Sequence, residues 1–397
     1  MYIRSANEVF QNTKISSKIF DFLGDDDIRK EFKPKFNKQI LIYGRVQSGK
    51  TAKIMEYIKS NSNKINILII QNSLSMLAQY EKAFNANDIK VCSVSANNVY
   101  IASWLIRNTR TTKVVLIVMN NNHRYDALAT VFQKCKISQY SLIMDESDMY
   151  YKNLKSEKLY KKAHECVHVT ATPFSSGYKA YFDEVILIPP KKEYISFNKL
   201  DIKFIPKVDD EYKTIMEIIQ TDFLTKKQGI MLITIHHRVD AMKCASRYLS
   251  TQPSLLNVPV VILSSQNILY YNKKTKELPK MSVSEIISGL DVHQHIVFIA
   301  NRLASRGINY SDMTYTRHLT HQIIKQNDNK TNFIQRCRIL GNKQGIKEKL
   351  KLYCLNCEEE YFRGIVEKIK KLEENVNDLK VGSKPIPKPT LVRSKTV

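Results

Sequence analysis

The sequence predicts an α/β protein built of two lobes, each with a mainly parallel β-sheet, followed by a helical extension. Short runs of β-branched apolar residues recur along the chain, and the segments between them are long enough to form helices. Buried parallel strands have this continuous apolar pattern, and their crossovers are usually helical. The first series of runs covers Gln39–Tyr43, Ile67–Ile70, Val91–Val94, Val114–Met119, Leu142–Met144 and Val167–Val169. The second covers Ile230–Ile235, Val258–Leu263, Ile296–Ala300 and Met313–His318.

Changes of composition divide the chain into six regions. Pro189 and Pro190, followed by two lysines, interrupt the first series, and charged sequence with apolar residues at helical spacing follows residue 346. The last residues combine Pro with Lys and Arg and hold no acid, which is typical of a flexible tail. The predicted regions are a lead-in (1–38), the first lobe (39–190), a connector (191–215), the second lobe (216–345), a helical extension (346–380) and a basic tail (381–397).

The composition favours an intracellular protein that binds a polyanion. The 397 residues include 62 Lys+Arg against 38 Asp+Glu, a formal net charge of +24. Nucleic acid is the favoured partner, although an anionic membrane surface or plain solubility would suit the same charge. The seven Cys show no disulfide framework, and neither a secretory signal nor a membrane-spanning apolar run is present. We therefore expect a cytoplasmic or nuclear protein without a membrane span, and protein partners stay open.

A phosphate-binding loop follows the first predicted strand. Its sequence, G-x-x-x-x-G-K-[ST], stands between that strand and a helix-like segment, which is the context the motif requires. Backbone N–H groups of such a loop surround phosphates, while the lysine neutralises them and the threonine hydroxyl ligates Mg²⁺. Only 11 residues of the chain are Gly, which makes a chance match improbable. The predicted nucleotide-binding residues are Gly44, Arg45, Val46, Gln47, Ser48, Gly49, Lys50 and Thr51.

Acidic residues follow the predicted strand Leu142–Met144 directly. Adjacent acids at the end of a buried strand are costly unless a cation is present. Asp145 would hold Mg²⁺, and Glu146 would orient or deprotonate the attacking water. A solvated turn after an ordinary strand could have the same sequence. The phosphate-binding loop upstream favours the catalytic interpretation.

Three successive motifs resemble those of a known family. The loop, the Asp145-Glu146-Ser147-Asp148 box and Thr170-Ala171-Thr172 stand in this order on predicted core strands. This arrangement resembles the first RecA-like lobe of superfamily 2 helicases. The resemblance implies that Thr170 and Thr172 couple hydrolysis to nucleic-acid binding.

The same resemblance implies an arginine from the second lobe that reaches the γ-phosphate. Arg306 and Gly307 follow the strand Ile296–Ala300 in a segment similar to helicase motif V. Gln335 and Arg338 lie in a segment similar to motif VI, where Arg338 would be the arginine finger and Gln335 would approach the γ-phosphate or the water. Both arginines could instead be ordinary surface cations of a basic chain.

The motif letters are closest to the Z1-domain branch of the superfamily. GRVQSGKT, VTATPF, NRLASRG and QRCRILG are similar to the Z1 strings GRxQSGKT, YTATPF, N-x-L-S-R-G and Q-x-x-R-x-x-G. The T-L-E-G continuation of that branch is replaced by Ile308-Asn309-Tyr310-Ser311. Nuclease or partner-binding functions of the larger Z1 proteins are therefore in doubt.

Polar residues after two further strands of the first lobe occupy the places of helicase motifs that contact nucleic-acid phosphates. They are Asn72, Ser73 and Asn120, and ordinary loop chemistry would explain them equally well. The function we expect is an ATP-dependent nucleic-acid helicase or translocase that uses Mg²⁺, with DNA slightly favoured over RNA. The alternatives are an NTP-gated binding module without turnover and a Z1-like endonuclease, for which Asp210, Glu211 and Lys213 are the weak candidates.

Overall fold

The structure is a computed structural model. It describes residues 37–94, 100–109, 112–155, 157–172, 182, 184–235, 239–263, 268–272, 274–278, 281–290, 294–300, 308–326, 330–343, 345–346 and 348–367. The predicted lead-in up to residue 36, the end of the helical extension and the basic tail lie outside these residues.

A seven-stranded sheet forms the first lobe, in the order β3-β4-β2-β5-β6-β1-β7. Each described neighbouring pair is parallel. The central strands are buried on both faces, as their unbroken apolar sequences require. The strands are β1 (Lys38–Gly44), β2 (Ile65–Ile70), β3 (Lys90–Ser93), β4 (Val114–Met119), β5 (Ser141–Asp145), β6 (Glu165–Thr170) and β7 (Glu184–Ile188).

Helices connect these strands and cover both faces of the sheet. Ser73 and Asn121 cap two of them by accepting hydrogen bonds from the backbone N–H groups of Met76 and His123. The helices are α1 (Lys50–Ser60), α2 (Leu74–Asn85), α3 (Ile101–Asn108), α4 (Asn122–Lys134), α5 (Tyr151–Leu154) and α6 (Lys158–Lys162), with a 3₁₀ turn at Ser147–Met149.

The second lobe is an eight-stranded sheet in the order β13-β12-β11-β14-β10-β15-β17-β9. Its strands run parallel except for the antiparallel pairs β11–β12 and β12–β13. The strands are β9 (Leu200–Ile205), β10 (Ile230–Thr234), β11 (Val260–Leu263), β12 (Ile268–Asn272), β13 (Lys274–Leu278), β14 (Ile296–Ala300), β15 (His321–Lys325) and β17 (Leu350–Leu355). Two largely parallel sheets with helices confirm the predicted α/β fold class.

Five helices and a small ribbon complete the described part of this lobe, beside two 3₁₀ turns and a π turn. The helices are α7 (Glu211–Ile218), α8 (Val239–Ser250), α9 (Val283–Ser288), α10 (Lys330–Arg336) and α11 (359–367). The turns are Phe197–Lys199, Ile219–Phe223 and Pro253–Leu255. The ribbon pairs β8 (Tyr194–Ile195) with β16 (Gly341–Asn342) in the antiparallel sense. It therefore joins the predicted connector to the end of the second lobe.

The prediction of a strand at Met313–His318 is wrong. This segment is a turn, and the strand lies a few residues later at β15. The carboxylate of Asp312 accepts hydrogen bonds from the backbone N–H groups of Thr316 and Arg317 and from the hydroxyls of Thr314 and Thr316. Tyr315 has a left-handed φ of 60°. Side-chain capping by aspartate stabilises a turn here in spite of the β-forming residues.

The regions predicted as a connector and as a helical extension each contribute a strand to the second sheet. β9 lies in the connector and β17 in the extension, and the two pair in parallel at the edge of the second sheet. The prediction of an all-helical region 346–380 is therefore wrong over Leu350–Leu355, whereas α11 is helical as expected. A short strand with mixed letters such as LKLYCL has no distinctive period, so its sheet partner decides its structure.

Side chains of both lobes belong to one continuous apolar cluster. It includes Ile40 and Ile54 of the first lobe and Leu232, Phe298 and Phe333 of the second. The apolar core is thus continuous across the boundary between the two lobes. This packing brings the end of β1 close to α10 and the residues after it.

Candidate active site

The loop between β1 and α1 has the backbone that a phosphate cradle needs. Gly49 has a left-handed φ of 95°, a conformation that side chains disfavour. At Gly44 a Cβ atom would stand 2.5 Å from Ser48 Oγ and 3.0 Å from Ile188 Cδ1. Both glycines of the motif are therefore required by the local geometry.

Lys50 begins α1, and its side chain folds back over the loop. Its Nζ atom donates a hydrogen bond of 3.2 Å to the carbonyl oxygen of Arg45. Thr51 follows in the first turn of α1, with its side chain close to the hydroxyl of Tyr80. The cation and the hydroxyl that the motif supplies thus lie at the same end of the parallel sheet.

The acids at the end of β5 are buried. Asp145 and Glu146 are 4% and 2% exposed. Burial, followed by the adjacent carboxylate of Glu146, raises the pKa of Asp145 to about 6, whereas the charge of Lys50 opposes this shift. Glu146 adopts a left-handed conformation, φ 52°, and its Oε2 atom has no hydrogen-bond partner among the described residues.

Two tyrosines hold Asp145. Tyr80, on α2, donates a hydrogen bond of 2.7 Å to Asp145 Oδ2. Tyr150 donates to the backbone carbonyl of Asp145 and, at 3.0 Å, to that of Ile69. Tyr80 is absent from the predicted site residues, because a tyrosine among the apolar positions of a helix is typical of an ordinary core.

The carboxylate of Asp148 connects the acidic box to the end of β6. Its Oδ1 accepts a hydrogen bond of 2.7 Å from the hydroxyl of Thr170, and its Oδ2 accepts one of 3.1 Å from the hydroxyl of Thr172. Thr172 in turn accepts a hydrogen bond of 2.7 Å from Gln335 Nε2. A chain of hydrogen bonds therefore runs from Asp148 of the acidic box through Thr172 to Gln335 of the second lobe.

The second lobe brings Arg338 beside the phosphate-binding loop. The carbonyl oxygen of Ile308 accepts hydrogen bonds from Arg338 Nη2, at 2.8 Å, and from Gln47 Nε2, at 3.2 Å. The backbone N–H of Asn342 also donates to the carbonyl of Gln47. At Gly341, whose φ is 133°, a Cβ atom would stand 2.6 Å from Gln47 Cβ.

Tyr194 contacts the phosphate-binding loop through its hydroxyl and its ring. Its hydroxyl donates a hydrogen bond of 2.9 Å to the carbonyl of Val46, and the guanidinium of Arg45 lies 5.2 Å from the centroid of its ring. The residue falls in the segment predicted as a plain connector, and no pattern in the sequence marks it.

The structure therefore gathers most of the predicted site. The loop residues, Asp145, Glu146, Thr170, Thr172, Gln335 and Arg338 meet between the two sheets. Arg306 and Gly307 lie outside the described residues.

The predicted phosphate contacts of the first lobe lie at neighbouring strand ends, after β2 and β4. Asn72 is exposed. Ser73 is fully buried and caps α2, and Asn120 Oδ1 accepts a hydrogen bond of 2.5 Å from the hydroxyl of Tyr125. Structural roles therefore account for the side chains of Ser73 and Asn120, and only Asn72 presents its side chain to solvent.

The weak nuclease candidates have a structural role. Asp210 caps α7 by accepting hydrogen bonds from the backbone N–H groups of Tyr212 and Lys213. Glu211 forms an ion pair with Lys325. Across the described residues, no group of three His, Cys, Asp or Glu side chains could hold a metal ion.

The residues present fit a nucleoside triphosphate with Mg²⁺. Gly49 gives the loop its left-handed turn before α1, and Lys50 and Arg338 supply positive charge beside it. Glu146 Oε2 and Gln335 Oε1 are both buried without a hydrogen-bond partner in the part of the chain that the structure describes. Buried polar atoms of this kind need a partner, which a water or a phosphate would provide.

These features define the fold of a two-lobed P-loop NTPase. Among the solved structures similar to the chain is one described as RecG bound to a three-way DNA junction, with a TM-score of 0.50 and 14% sequence identity. The similarity covers 94% of this chain and 48% of that one, so the chain spans about half its length. At 14% identity the likeness shows a similar fold alone.

No family model matches the sequence, and no curated protein matches it either. The resemblance to the Z1-domain branch therefore stays a hypothesis. Within the described residues, no helix is both long and apolar enough to cross a membrane.

Proposed function

We propose that the protein is an ATP-dependent helicase or translocase that hydrolyses ATP between its two lobes and acts on nucleic acid. Lys50 neutralises the phosphates, and Thr51 and Asp145 hold Mg²⁺. Bound there, the ion neutralises phosphate charge. Glu146 orients the attacking water and takes its proton, and Gln335 and Arg338 complete the site from the second lobe.

The observation that carries this proposal is the hydrogen-bond chain from Asp148 through Thr172 to Gln335. It links the acidic box of one lobe to the other lobe directly. Opening of the lobes must break the bond between Thr172 and Gln335, and closure must form it again. Such a contact supports coupling between the nucleotide site and movement of the lobes.

Charge and fold support nucleic acid as the substrate. The net charge of +24 far exceeds what a single nucleotide site uses, and Asn72 lies exposed at a strand end of the first lobe. The solved structure with the similar fold is described with bound junction DNA. DNA is slightly favoured over RNA, since the motif letters differ from those of DEAD-box RNA helicases.

ATP hydrolysis by the purified protein tests the proposal, measured with single- and double-stranded DNA and RNA at two salt concentrations. We expect nucleic acid to stimulate wild-type turnover, and the stimulation to fall steeply at the higher salt concentration. Glu146→Gln should bind ATP but hydrolyse it about 100-fold or more slowly, because the general base is lost. Lys50→Ala should lose ATP binding.

Lys53→Ala is the matched control for Lys50→Ala. Lys53 lies on the same helix and pairs with Glu56 at the surface, so its removal should leave hydrolysis unchanged. Wild-type turnover no greater than that of Glu146→Gln, with either nucleic acid, would refute the motor and favour an NTP-gated binding module. Mg²⁺-dependent cleavage of DNA that persists in Lys50→Ala would favour a nuclease instead.

A further inference from the structure

Two cysteines stand at the end of β17, in a C-x-x-C sequence that the nucleotide site does not use. They are Cys354, the last residue but one of the strand, and Cys357, two residues before α11. Cys354 is fully buried, and Cys357 is 3% exposed. Such a pair is either an ordinary part of the core or a reactive dithiol. The geometry around the two thiols decides between these roles.

The chain bends between the two cysteines at Asn356, whose φ of 47° is left-handed. The side chain of Asn356 accepts a hydrogen bond of 3.0 Å from the backbone N–H of Val208 and donates one of 3.2 Å to Glu211 Oε1. Just after the bend, the backbone N–H of Glu358 donates a hydrogen bond of 3.0 Å to Gln326 Oε1. The bend is therefore fixed by the segments that follow β9 and β15.

This bend leaves the two thiols close together. The neighbouring thiol of Cys354 lowers the pKa of Cys357, whereas burial and the charge of Glu358 oppose the shift. Cys357, followed by burial, raises the pKa of Cys354. Cys357 is therefore the thiol that ionises first, and the thiolate is the nucleophilic form of cysteine.

A cavity of about 840 Å³ gives small molecules access to Cys357. It lies at the carboxyl ends of the neighbouring parallel strands β15, β17 and β9. Its lining includes Pro206, Lys207, Gln326, Asn356 and Cys357. Because so little of Cys357 is exposed, a small oxidant such as hydrogen peroxide suits this position better than a bulky one.

We propose that Cys354 and Cys357 form a redox site, at which a peroxide converts the dithiol to a disulfide. The thiolate sulfur of Cys357 attacks one oxygen of hydrogen peroxide, which breaks the O–O bond, leaves a sulfenic acid on Cys357 and releases hydroxide. The sulfur of Cys354 then attacks that of Cys357, and its proton leaves with the sulfenic hydroxyl as water. The two sulfurs lose two electrons, which the peroxide gains, and a thiol reductant reverses the change.

The pair lies close to the helix that carries Gln335. Phe362 on α11 packs edge-on against Phe333 on α10, with 5.9 Å between the ring centroids. Cys337, which follows α10, belongs to the same apolar cluster as both cysteines. Cys337 is therefore the alternative partner that a test must separate from Cys354. The inference goes beyond the proposed function, since none of its steps needs a nucleotide.

Treatment of the folded, full-length protein with hydrogen peroxide, followed by alkylation of the remaining thiols in denaturant, tests this assignment by mass spectrometry. Trypsin cleaves after Lys351 and Arg363, so both cysteines lie in one peptide, 352–363. We expect this peptide to lose two hydrogen atoms and to resist alkylation, and dithiothreitol to restore alkylation at both cysteines. Its thiols should disappear about 10-fold faster than that of Cys92, whose pKa is raised by burial.

Serine variants assign the pairing. Cys354→Ser should form no disulfide and should keep a sulfenic acid on Cys357, which dimedone labels. Cys337→Ser is the matched control and should form the disulfide as the wild type does.

The peptide of the wild-type protein gives the contrary outcomes directly, whether or not each variant folds. Alkylation of both cysteines after peroxide treatment would overturn the inference. A cross-link between this peptide and Cys337 would also overturn it, as would loss of its thiols no faster than that of Cys92.

Discussion

Gln335 Nε2 donates a hydrogen bond of 2.7 Å to the hydroxyl of Thr172 across the boundary between the two lobes. Both side chains are fully buried. Thr172 passes the contact on to Asp148 in the acidic box. One hydroxyl group thus acts as donor to Asp148 and as acceptor from Gln335 of the opposite lobe.

Replacement of Thr172 by valine keeps the shape of the side chain and removes both hydrogen bonds. We expect nucleic-acid-stimulated kcat to fall about 10-fold, because one or two buried hydrogen bonds of about 1 kcal/mol each are lost in the closed state. Affinity for ATP should change little. Thr172→Ser, which keeps the hydroxyl, should restore turnover, and equal kcat values for valine and wild type would contradict the coupling role.

Gly341 permits the close approach of the second lobe to the phosphate-binding loop. Its φ is 133°, and a Cβ atom added there would stand only 2.6 Å from Gln47 Cβ, which leaves no room for a side chain. Gly341→Ala should therefore hold the lobes apart and reduce turnover at least 10-fold, measured as stimulated ATPase activity.

Gly345→Ala is the control for this prediction. Gly345 has a positive φ of 71°, but a Cβ atom there meets nothing within 4 Å. The substitution introduces backbone strain without a clash against the loop. If Gly345→Ala reduced turnover as much as Gly341→Ala, strain in the second lobe would explain both effects.

Tyr80 orients Asp145 and contacts Thr51, the two residues that we assign to Mg²⁺. Tyr80→Phe should raise the Mg²⁺ concentration for half-maximal hydrolysis about 5-fold, since a hydrogen bond worth about 1 kcal/mol is lost. Tyr140→Phe removes a buried tyrosine hydrogen bond to Leu159 and should leave the Mg²⁺ dependence unchanged. Identical Mg²⁺ curves for the two variants would exclude this role of Tyr80.

His168, on β6, makes stability depend on pH. It is completely buried, and burial lowers its pKa from 6.5 to about 3. Below pH 6.5 the unfolded chain therefore binds a proton on this imidazole, whereas the folded protein binds it only below about pH 3. Above pH 6.5 the imidazole is neutral in both states and does not reduce stability. Below pH 6.5 the free energy of unfolding should fall by about 1.4 kcal/mol per pH unit.

Denaturant unfolding of His168→Phe between pH 7 and pH 5 checks this prediction. Over this range the free energy of unfolding of the variant should fall by about 1.4 kcal/mol less per pH unit than that of the wild type, whatever its value at pH 7. His321, whose pKa burial lowers to about 4, should maintain part of the slope. An unchanged slope in His168→Phe would count against the buried neutral imidazole.

The sequence by itself determined the fold class and the parts of the site that consist of consecutive residues. The loop Gly44–Thr51, the acids after β5 and the threonines after β6 are recognisable because each group is consecutive in sequence and directly follows an apolar strand. The apolar runs predicted most strands for a related reason, since a strand buried on both faces has an unbroken apolar sequence.

Only the tertiary structure decided the remainder. Tyr80 and Tyr194 enter the site through partners that are distant in sequence, and no local pattern marks them. The strands β9 and β17 form because each completes the edge of a sheet, whereas the β-forming residues near Tyr315 are held in a turn by Asp312. Hydrogen bonds and burial between distant segments depend on which surfaces meet, and a linear pattern does not contain that information.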